Sequence, residues 1–151
     1  MTHLKVGDTA PEINAVDQNG DKISLEQYKG KKVVLYFYPK DMTPGCTAQS
    51  CNLSENYSHL QEKGYDVLGV SCDSVKRHQK FIEKYNLAFS LVSDEEKKVV
   101  QDYGVWGLKK FMGREYMGIT RTTFIIDEKG IIEEVITKVD TKNHTKQIIK
   151  I

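Results

Sequence analysis

The stretch Val33-Val34-Leu35-Tyr36-Phe37-Tyr38-Pro39-Lys40-Asp41-Met42-Thr43-Pro44-Gly45-Cys46 decides how the chain is read. It opens with the longest apolar run of the sequence, β-branched and aromatic and without polar alternation. Such a run suits a strand covered on both faces. Pro39 stops it, and two of the three prolines fall in this one stretch. The loop they stiffen leads to Cys46 and to a predicted helix from about 47 to 63, with Gly64 placed to close it.

Upstream, Asn19-Gly20 is a hairpin signal between 13–16 and 22–25. Downstream, strands are predicted over 65–71 and 89–92. Between them lies a helix capped by Ser74 that carries His78, Phe81, Ile82 and Tyr85 on one face. A short helix over 94–103 ends at Gly104. Segments 122–126 and 131–137 form a hairpin about Asp127–Gly130, and a helix around 142–149 closes the chain. This order indicates an α/β fold with a mixed central sheet flanked by helices and an N-terminal β-hairpin extension, in a single domain over 1–151. The binding crevice of such a fold lies at the carboxyl ends of the parallel strands, where residues 39–46 fall.

A chain of 151 residues can bury a core without a disulfide or metal staple. Lys and Arg total 22 against 21 Asp and Glu, a net charge of +1, which argues against broad electrostatic binding of nucleic acid or anionic lipid. No apolar run approaches a membrane span, and the N-terminal segment lacks the apolar core of a signal peptide. The expected location is the cytoplasm. Thiols stay reduced there, so three cysteines point to reactive, metal-bound or packed thiols rather than structural bridges.

Cys46 falls where loop becomes helix. The unpaired N–H groups and partial positive charge of a helix N-terminus stabilise an anionic sulfur. Gly45 lets the backbone approach a ligand, Pro44 stiffens the approach, and Thr43 offers a hydroxyl. At about 100° per residue Cys46 shares a stripe with Leu53, Tyr57 and Leu60, while Cys51 lies about 140° further round. Cys46 is therefore expected at the edge of the sheet-facing side, in a pocket, and Cys51 elsewhere. The same geometry suits an inert packed cysteine equally well. A metal site is disfavoured: there is no Cys-x-x-Cys, and His3, His59, His78 and His144 show no ligand spacing relative to the cysteines.

Pro39-x-x-x-Thr43-x-x-Cys46, in its setting from Tyr36 to Thr47, resembles the active-site signature of peroxiredoxins. The second cysteine five residues on, Cys51, resembles the Q-type branch, the bacterioferritin comigratory proteins. The resemblance runs from about Val6 to about Val135. It takes in Gly104-Val105-Trp106-Gly107, Phe111-Met112-Gly113 and Gly118-Ile119-Thr120-Arg121-Thr122-Thr123-Phe124-Ile125-Ile126-Asp127. It implies a thioredoxin-like fold, reduction of hydrogen peroxide or organic hydroperoxides, electrons from thioredoxin or a similar dithiol donor, and no metal, haem or flavin cofactor. It gives Cys46 the peroxide-reacting place and Cys51 the resolving place, through an intramolecular disulfide. Pro39, Thr43 and Arg121 match the remaining active-site positions. Monomers often, and dimers sometimes, are implied. Met42 and Ser54 depart from the pattern, standing where relatives often carry a polar residue and Arg.

On that reading Arg121 supplies a permanent positive charge to steady the sulfur and hold a peroxide oxygen. Thr43 is expected to bond sulfur and peroxide, and Pro39 to shield the sulfur from water. Cys72 is expected as a packed strand-end thiol, Trp106 and Phe111 as core or pocket wall, and Lys29, Lys31 and Lys32 as a solvated turn. A redox sensor using the same two cysteines and a non-enzymatic holdase are the alternatives from other classes. In an intact helix the Cα atoms of Cys46 and Cys51 stand roughly 8–9 Å apart, too far for a disulfide, so the helix is expected to open first.

Overall fold

The apolar run becomes the third strand of a mixed sheet. In chain order the strands are β1 (Asn14–Val16), β2 (Lys22–Ser24), β3 (Lys32–Phe37), β4 (Tyr65–Ser71), β5 (Ser90–Ser93), β6 (Trp106–Phe111), β7 (Arg114–Ile119), β8 (Thr122–Ile126) and β9 (Ile132–Ile136). The computed structural model describes residues 2–149; Met1, Lys150 and Ile151, which the expected domain includes, lie outside the described residues. The main sheet has the order β2-β1-β5-β4-β3-β8-β9. β3, β4 and β5 run parallel, and the pairs β3–β8, β8–β9, β1–β5 and β1–β2 are antiparallel.

β3 is buried on both faces because its side chains alternate between two cores. Val33, Leu35 and Phe37 enter one cluster, and Val34, Tyr36 and Tyr38 the other. The second cluster is closed by α1 (Pro44–Glu55), α2 (Tyr57–Glu62), α3 (Val75–Tyr85) and α5 (His144–Ile149), through Leu53, Leu60, Phe81 and Ile148. The first is closed by α4 (Lys98–Asp102), through Val99 and Val100. Among the described residues no helix is long and apolar enough to cross a membrane.

Several elements depart from the sequence reading. The helix expected over 47–63 begins earlier, with Pro44 at its first position, where a missing N–H costs nothing. It also breaks into α1 and α2 at Asn56. There the Asn56 side-chain amide donates to the Asn52 carbonyl at 2.8 Å, competing with the helical ladder. α4 starts four residues late, at Lys98. The Asp94 carboxylate reaches forward to accept the N–H groups of Lys98, Val99 and Val100. The ribbon β6–β7 is not anticipated at all. Its turn places Met112 and Gly113 at φ 51° and 77°, the two positive values of a primed hairpin turn, and methionine does not announce that geometry. Lys32, expected in solvent, is half-buried and ion-pairs with Glu133 at 2.8 Å.

α5 docks through a buried histidine. His144 donates from Nδ1 to Gln147 Oε1 at 2.7 Å and accepts at Nε2 from the Thr123 hydroxyl at 2.8 Å. Burial holds its pKa below the ordinary histidine value; the Gln147 bond opposes this and the charge of Arg121 adds to it. A depressed pKa means the neutral ring stabilises the fold above the ordinary histidine range, and that this is lost as pH falls through the folded value. Hydrogen exchange over 144–149 is therefore expected to quicken relative to the sheet when pH is lowered from neutral to below about 6.5. Unchanged relative protection would show that the ring does not dock α5.

Candidate active site

β3 ends in the loop that leads to α1, and the antiparallel register Phe37↔Thr122 sets residue 121 beside that exit. Cys46 occupies the first turn of α1 and is fully buried. Its cluster includes Val34, Tyr36, Tyr38 and Leu53. Arg121 Nη2 donates to Cys46 Sγ at 3.3 Å, and Nη1 donates to Gln49 Oε1 at 2.6 Å. The guanidinium thus bridges the sulfur and the side chain one turn further along the same helix face. A Cβ at Gly45 would stand 3.2 Å from Nη2, tighter than ordinary contact, so a side chain there would press on the guanidinium. Gln49 escaped the sequence reading; its signal is the three-residue spacing from Cys46.

The loop is fixed by a buried polar network. Asp41 is fully buried and accepts from the Tyr38 hydroxyl. Its second oxygen shares a hydrogen bond with His78 Nδ1 at 2.6 Å, while His78 Nε2 donates to the Val92 carbonyl at 2.9 Å. The Asp41 N–H donates to Asp73 at 2.8 Å. Arg77 donates to the Asp41 carbonyl at 3.0 Å and ion-pairs with Asp73 at 3.1 Å. Asp41, Asp73 and His78 cluster closely enough to suggest metal ligands, yet both ring nitrogens are engaged and the carboxylates are hydrogen-bonded. The cluster therefore pins the loop to α3 and β5. It holds Met42 at φ 64°, a left-handed turn uncommon for a non-glycine residue, which directs the chain toward Pro44.

The other residues singled out from sequence are placed less uniformly. Pro39 borders a cleft of about 350 Å³ shared with Lys40, Trp106, Lys109 and Tyr116. Thr43 departs from expectation: its hydroxyl donates to the Lys40 carbonyl at 2.8 Å instead of bonding Cys46. Cys51 is half-buried on the intact α1, where burial and then the charge of Glu55 push its thiol pKa up. Cys46, Cys51 and Cys72 are all free thiols. Cys72 also borders the cleft; burial, with the charge of Asp94, pushes it up to about 11, so it is a neutral thiol. Trp106 packs against the core, whereas Phe111 is 65% exposed on the ribbon. Lys109, not anticipated, donates to the Ile119 carbonyl at 2.9 Å. Its pKa is lowered by burial and by the neighbouring Arg121.

A family model described as the AhpC/TSA family matches residues 6–135. The chain belongs to this family. Peroxiredoxin Bcp of Escherichia coli (strain K12) is 47% identical over 144 residues, which cover 95% of this chain and 92% of that protein. Peroxiredoxin Bcp of Bacillus subtilis (strain 168) is 43% identical over 147 residues, 97% and 94% of the two chains. A structure of a Xylella fastidiosa PrxQ mutant superposes with a TM-score of 0.92 at 30% identity, covering 99% of this chain and 96% of that one. The chain thus has the thioredoxin-like peroxiredoxin fold and the thiol peroxidase activity of a Bcp-type oxidoreductase.

The contact of Arg121 with Cys46 generates a prediction. Arg121→Ala is expected to slow the reaction of Cys46 with peroxide about a hundredfold, the usual cost of removing one preorganised donor to developing charge. Lys should recover only part of this, because it lacks the planar fork that reaches sulfur and Gln49 together. Gly45→Ala should act in the same direction and more weakly. Stopped-flow oxidation rates test all three, and rates equal to the parent in Arg121→Ala would remove Arg121 from the site.

Proposed function

We propose that the chain reduces hydrogen peroxide and organic hydroperoxides through Cys46, that Cys51 resolves the resulting sulfenic acid, and that thioredoxin or a similar dithiol protein reduces the disulfide. The observation that carries this reading is the Arg121–Cys46 contact in the first turn of α1. Arg cannot lose its charge, so the sulfur faces a permanent cation and the positive end of a helix together.

The Cys46 thiolate attacks one peroxide oxygen. The O–O bond breaks, the other oxygen takes a proton and leaves as water or an alcohol, and Cys46 becomes a sulfenic acid, oxidised by two electrons. Arg121 steadies charge on the departing oxygen. For Thr43 to bond the peroxide, its hydroxyl must turn away from the Lys40 carbonyl. Pro39 limits the access of water from the neighbouring cleft. A Xanthomonas campestris bacterioferritin comigratory protein of known structure, with TM-score 0.87 and 30% identity, is described as having alkyl peroxide reduction activity, which supports the organic substrates. On this reading the chain works as one domain in the cytoplasm.

In the second step the Cys51 sulfur attacks the sulfenic sulfur. An S–S bond forms, the S–O bond breaks, and the oxygen leaves as water with the Cys51 proton. Geometry requires α1 to open for this, and electrostatics favours it. The intact helix holds the two Cα atoms roughly 8–9 Å apart. It also keeps Cys51 beside Glu55, with its pKa raised. Since the folded value is the higher one, the closed helix is favoured below the ordinary thiol range and loses that advantage as pH rises. Gln49, Ser50, Asn52 and Ser54 are modest helix formers, so opening is not costly in propensity.

Cys46→Ser is expected to abolish peroxide consumption with the fold intact. Cys51→Ser should halt thioredoxin-dependent turnover after one peroxide per chain, and the parent's disulfide-forming rate should climb from neutral pH into the ordinary thiol range. A coupled assay with thioredoxin and its reductase measures the first two, and quenched-flow mass spectrometry the third. Sustained turnover in Cys51→Ser would mean that another thiol resolves Cys46.

A further inference from the structure

Three polar fastenings hold α1 between Cys46 and Leu53. Two lie beneath it. Gln49 is bonded by Arg121, and the Ser50 hydroxyl shares a 2.8 Å hydrogen bond with the Tyr36 hydroxyl; Gln49, Ser50 and Tyr36 are fully buried. The third, Asn52, is the residue after Cys51 and reaches the entry to α5. Its Nδ2 donates to the Lys142 carbonyl at 3.0 Å. Its Oδ1 accepts from the Thr145 N–H at 2.9 Å and from the Thr145 hydroxyl at 2.8 Å. One side chain thus satisfies three groups of the C-terminal segment, and the reaction at Cys46 uses none of them.

We propose that Asn52 is a positioning residue that latches α1 to α5 and sets the rate at which Cys51 is released to resolve Cys46. The inference rests on the proposed Cys46–Cys51 disulfide. To form that bond the two Cα atoms must close from roughly 8–9 Å to within about 7 Å, and the side chains must turn about 140° toward each other. Asn52 is joined to Cys51 by a peptide bond. It cannot keep three bonds of ordinary hydrogen-bond length to a stationary α5 while Cys51 makes that movement. The Cys46 end is the less free to move, since its sulfur is buried and bonded by Arg121. α5 stays put because His144 is bonded to Thr123 and Ile148 is in the core. Asn52 itself is only half-buried, so its bonds can break without taking a core side chain out of the sheet.

The consequence lies in a competition. A sulfenic acid that waits for Cys51 is open to a second peroxide, which takes it to sulfinic acid. The latch therefore sets how much peroxide the protein tolerates before it is over-oxidised.

The test mixes the reduced full chain with hydrogen peroxide and follows thiol, sulfenic, disulfide and sulfinic forms by quenched-flow mass spectrometry. In Asn52→Ala the bimolecular oxidation of Cys46 should match the parent, while disulfide formation should quicken about tenfold, the equivalent of about one net hydrogen bond. The sulfinic fraction at excess peroxide should fall accordingly. Thr145→Val removes one of the three bonds with little change of shape, and should act in the same direction with a smaller factor; it carries the test if Asn52→Ala does not fold. Hydrogen exchange should show that the Thr145 amide, which donates to Asn52 Oδ1, loses protection in the parent's disulfide form while the rest of α5 keeps it. A disulfide-forming rate equal to the parent in both variants would overturn the latch and leave the resolving role of Cys51 standing. Absence of any Cys46–Cys51 disulfide in the parent would overturn that role and the latch together.

Discussion

A guanidinium 3.3 Å from a buried sulfur depends on the pairing of β8 with β3. Phe37 opposes Thr122, so Arg121 sits at the mouth of the sheet where the chain turns into α1. A slip of one residue would send every side chain of β8 to the opposite face and carry Arg121 away from Cys46. The pairing is protected against that slip because all of β8 is buried, with Phe124 and Ile126 in one core and Ile125 in the other. A charge so placed also needs a partner, and Gln49 supplies it without competing for the positive charge as a carboxylate would.

Rigidity and release are divided between the two sides of Cys46. On the N-terminal side, Asp41 is tied to Tyr38, His78, Asp73 and Arg77, and through His78 to β5. These are buried or charge-assisted bonds, the kind whose partial removal leaves costly unpaired groups. On the C-terminal side, α1 is broken at Asn56 and is fastened to α5 by Asn52 bonds that are exposed or only partly buried, with the buried Ser50–Tyr36 bond beneath it. Elements that open locally are drawn from this less cohesive kind of structure. On the proposed reading, the end that carries Cys46 is held in register by the loop, and the movement that resolution needs falls on the end that carries Cys51.

What the sequence made legible follows the range of the interactions involved. β3 and β8 stand out as runs rich in β-branched and aromatic residues, β4 shows through Val67, Leu68 and Val70, and Ser74 reads as the helix cap it is, accepting from the Arg77 N–H. The position of Cys46 at a helix start is likewise local. Arg121 is different: nothing within several residues of it speaks of a sulfur 75 positions earlier, and only the peroxiredoxin resemblance brought it into view. Features that depend on one side chain choosing between partners were missed. Thr43 gives its hydrogen to Lys40, Asn56 bonds back to Asn52, Asn52 crosses to α5, and Asp41 meets His78. Each of these residues has a plausible local role that does not reveal the distant one. The β6–β7 ribbon was hidden for a related reason. Its left-handed turn position is held by Met112, and its strands are too exposed to show an apolar face.

The three cysteines show how surroundings assign different work to one functional group. Cys46 is the thiol that faces a guanidinium and the start of a helix of twelve residues. Cys51 sits later on the same helix with Glu55 as its charged neighbour, and Cys72 lies between Asp73 and Asp94, with Lys97 only partly offsetting them. Burial and neighbouring carboxylates push the pKa of both upward, which disfavours an anionic sulfur at each. The opening of α1 that the proposed resolution calls for would change this for Cys51, by removing its burial and separating the thiol from Glu55. Cys72 is held at the end of β4 and gains nothing from that movement. On the proposed mechanism the order of events, oxidation at Cys46 and then attack by Cys51, follows from the helix: the folded form sets Cys46 against the guanidinium, and opening it frees Cys51.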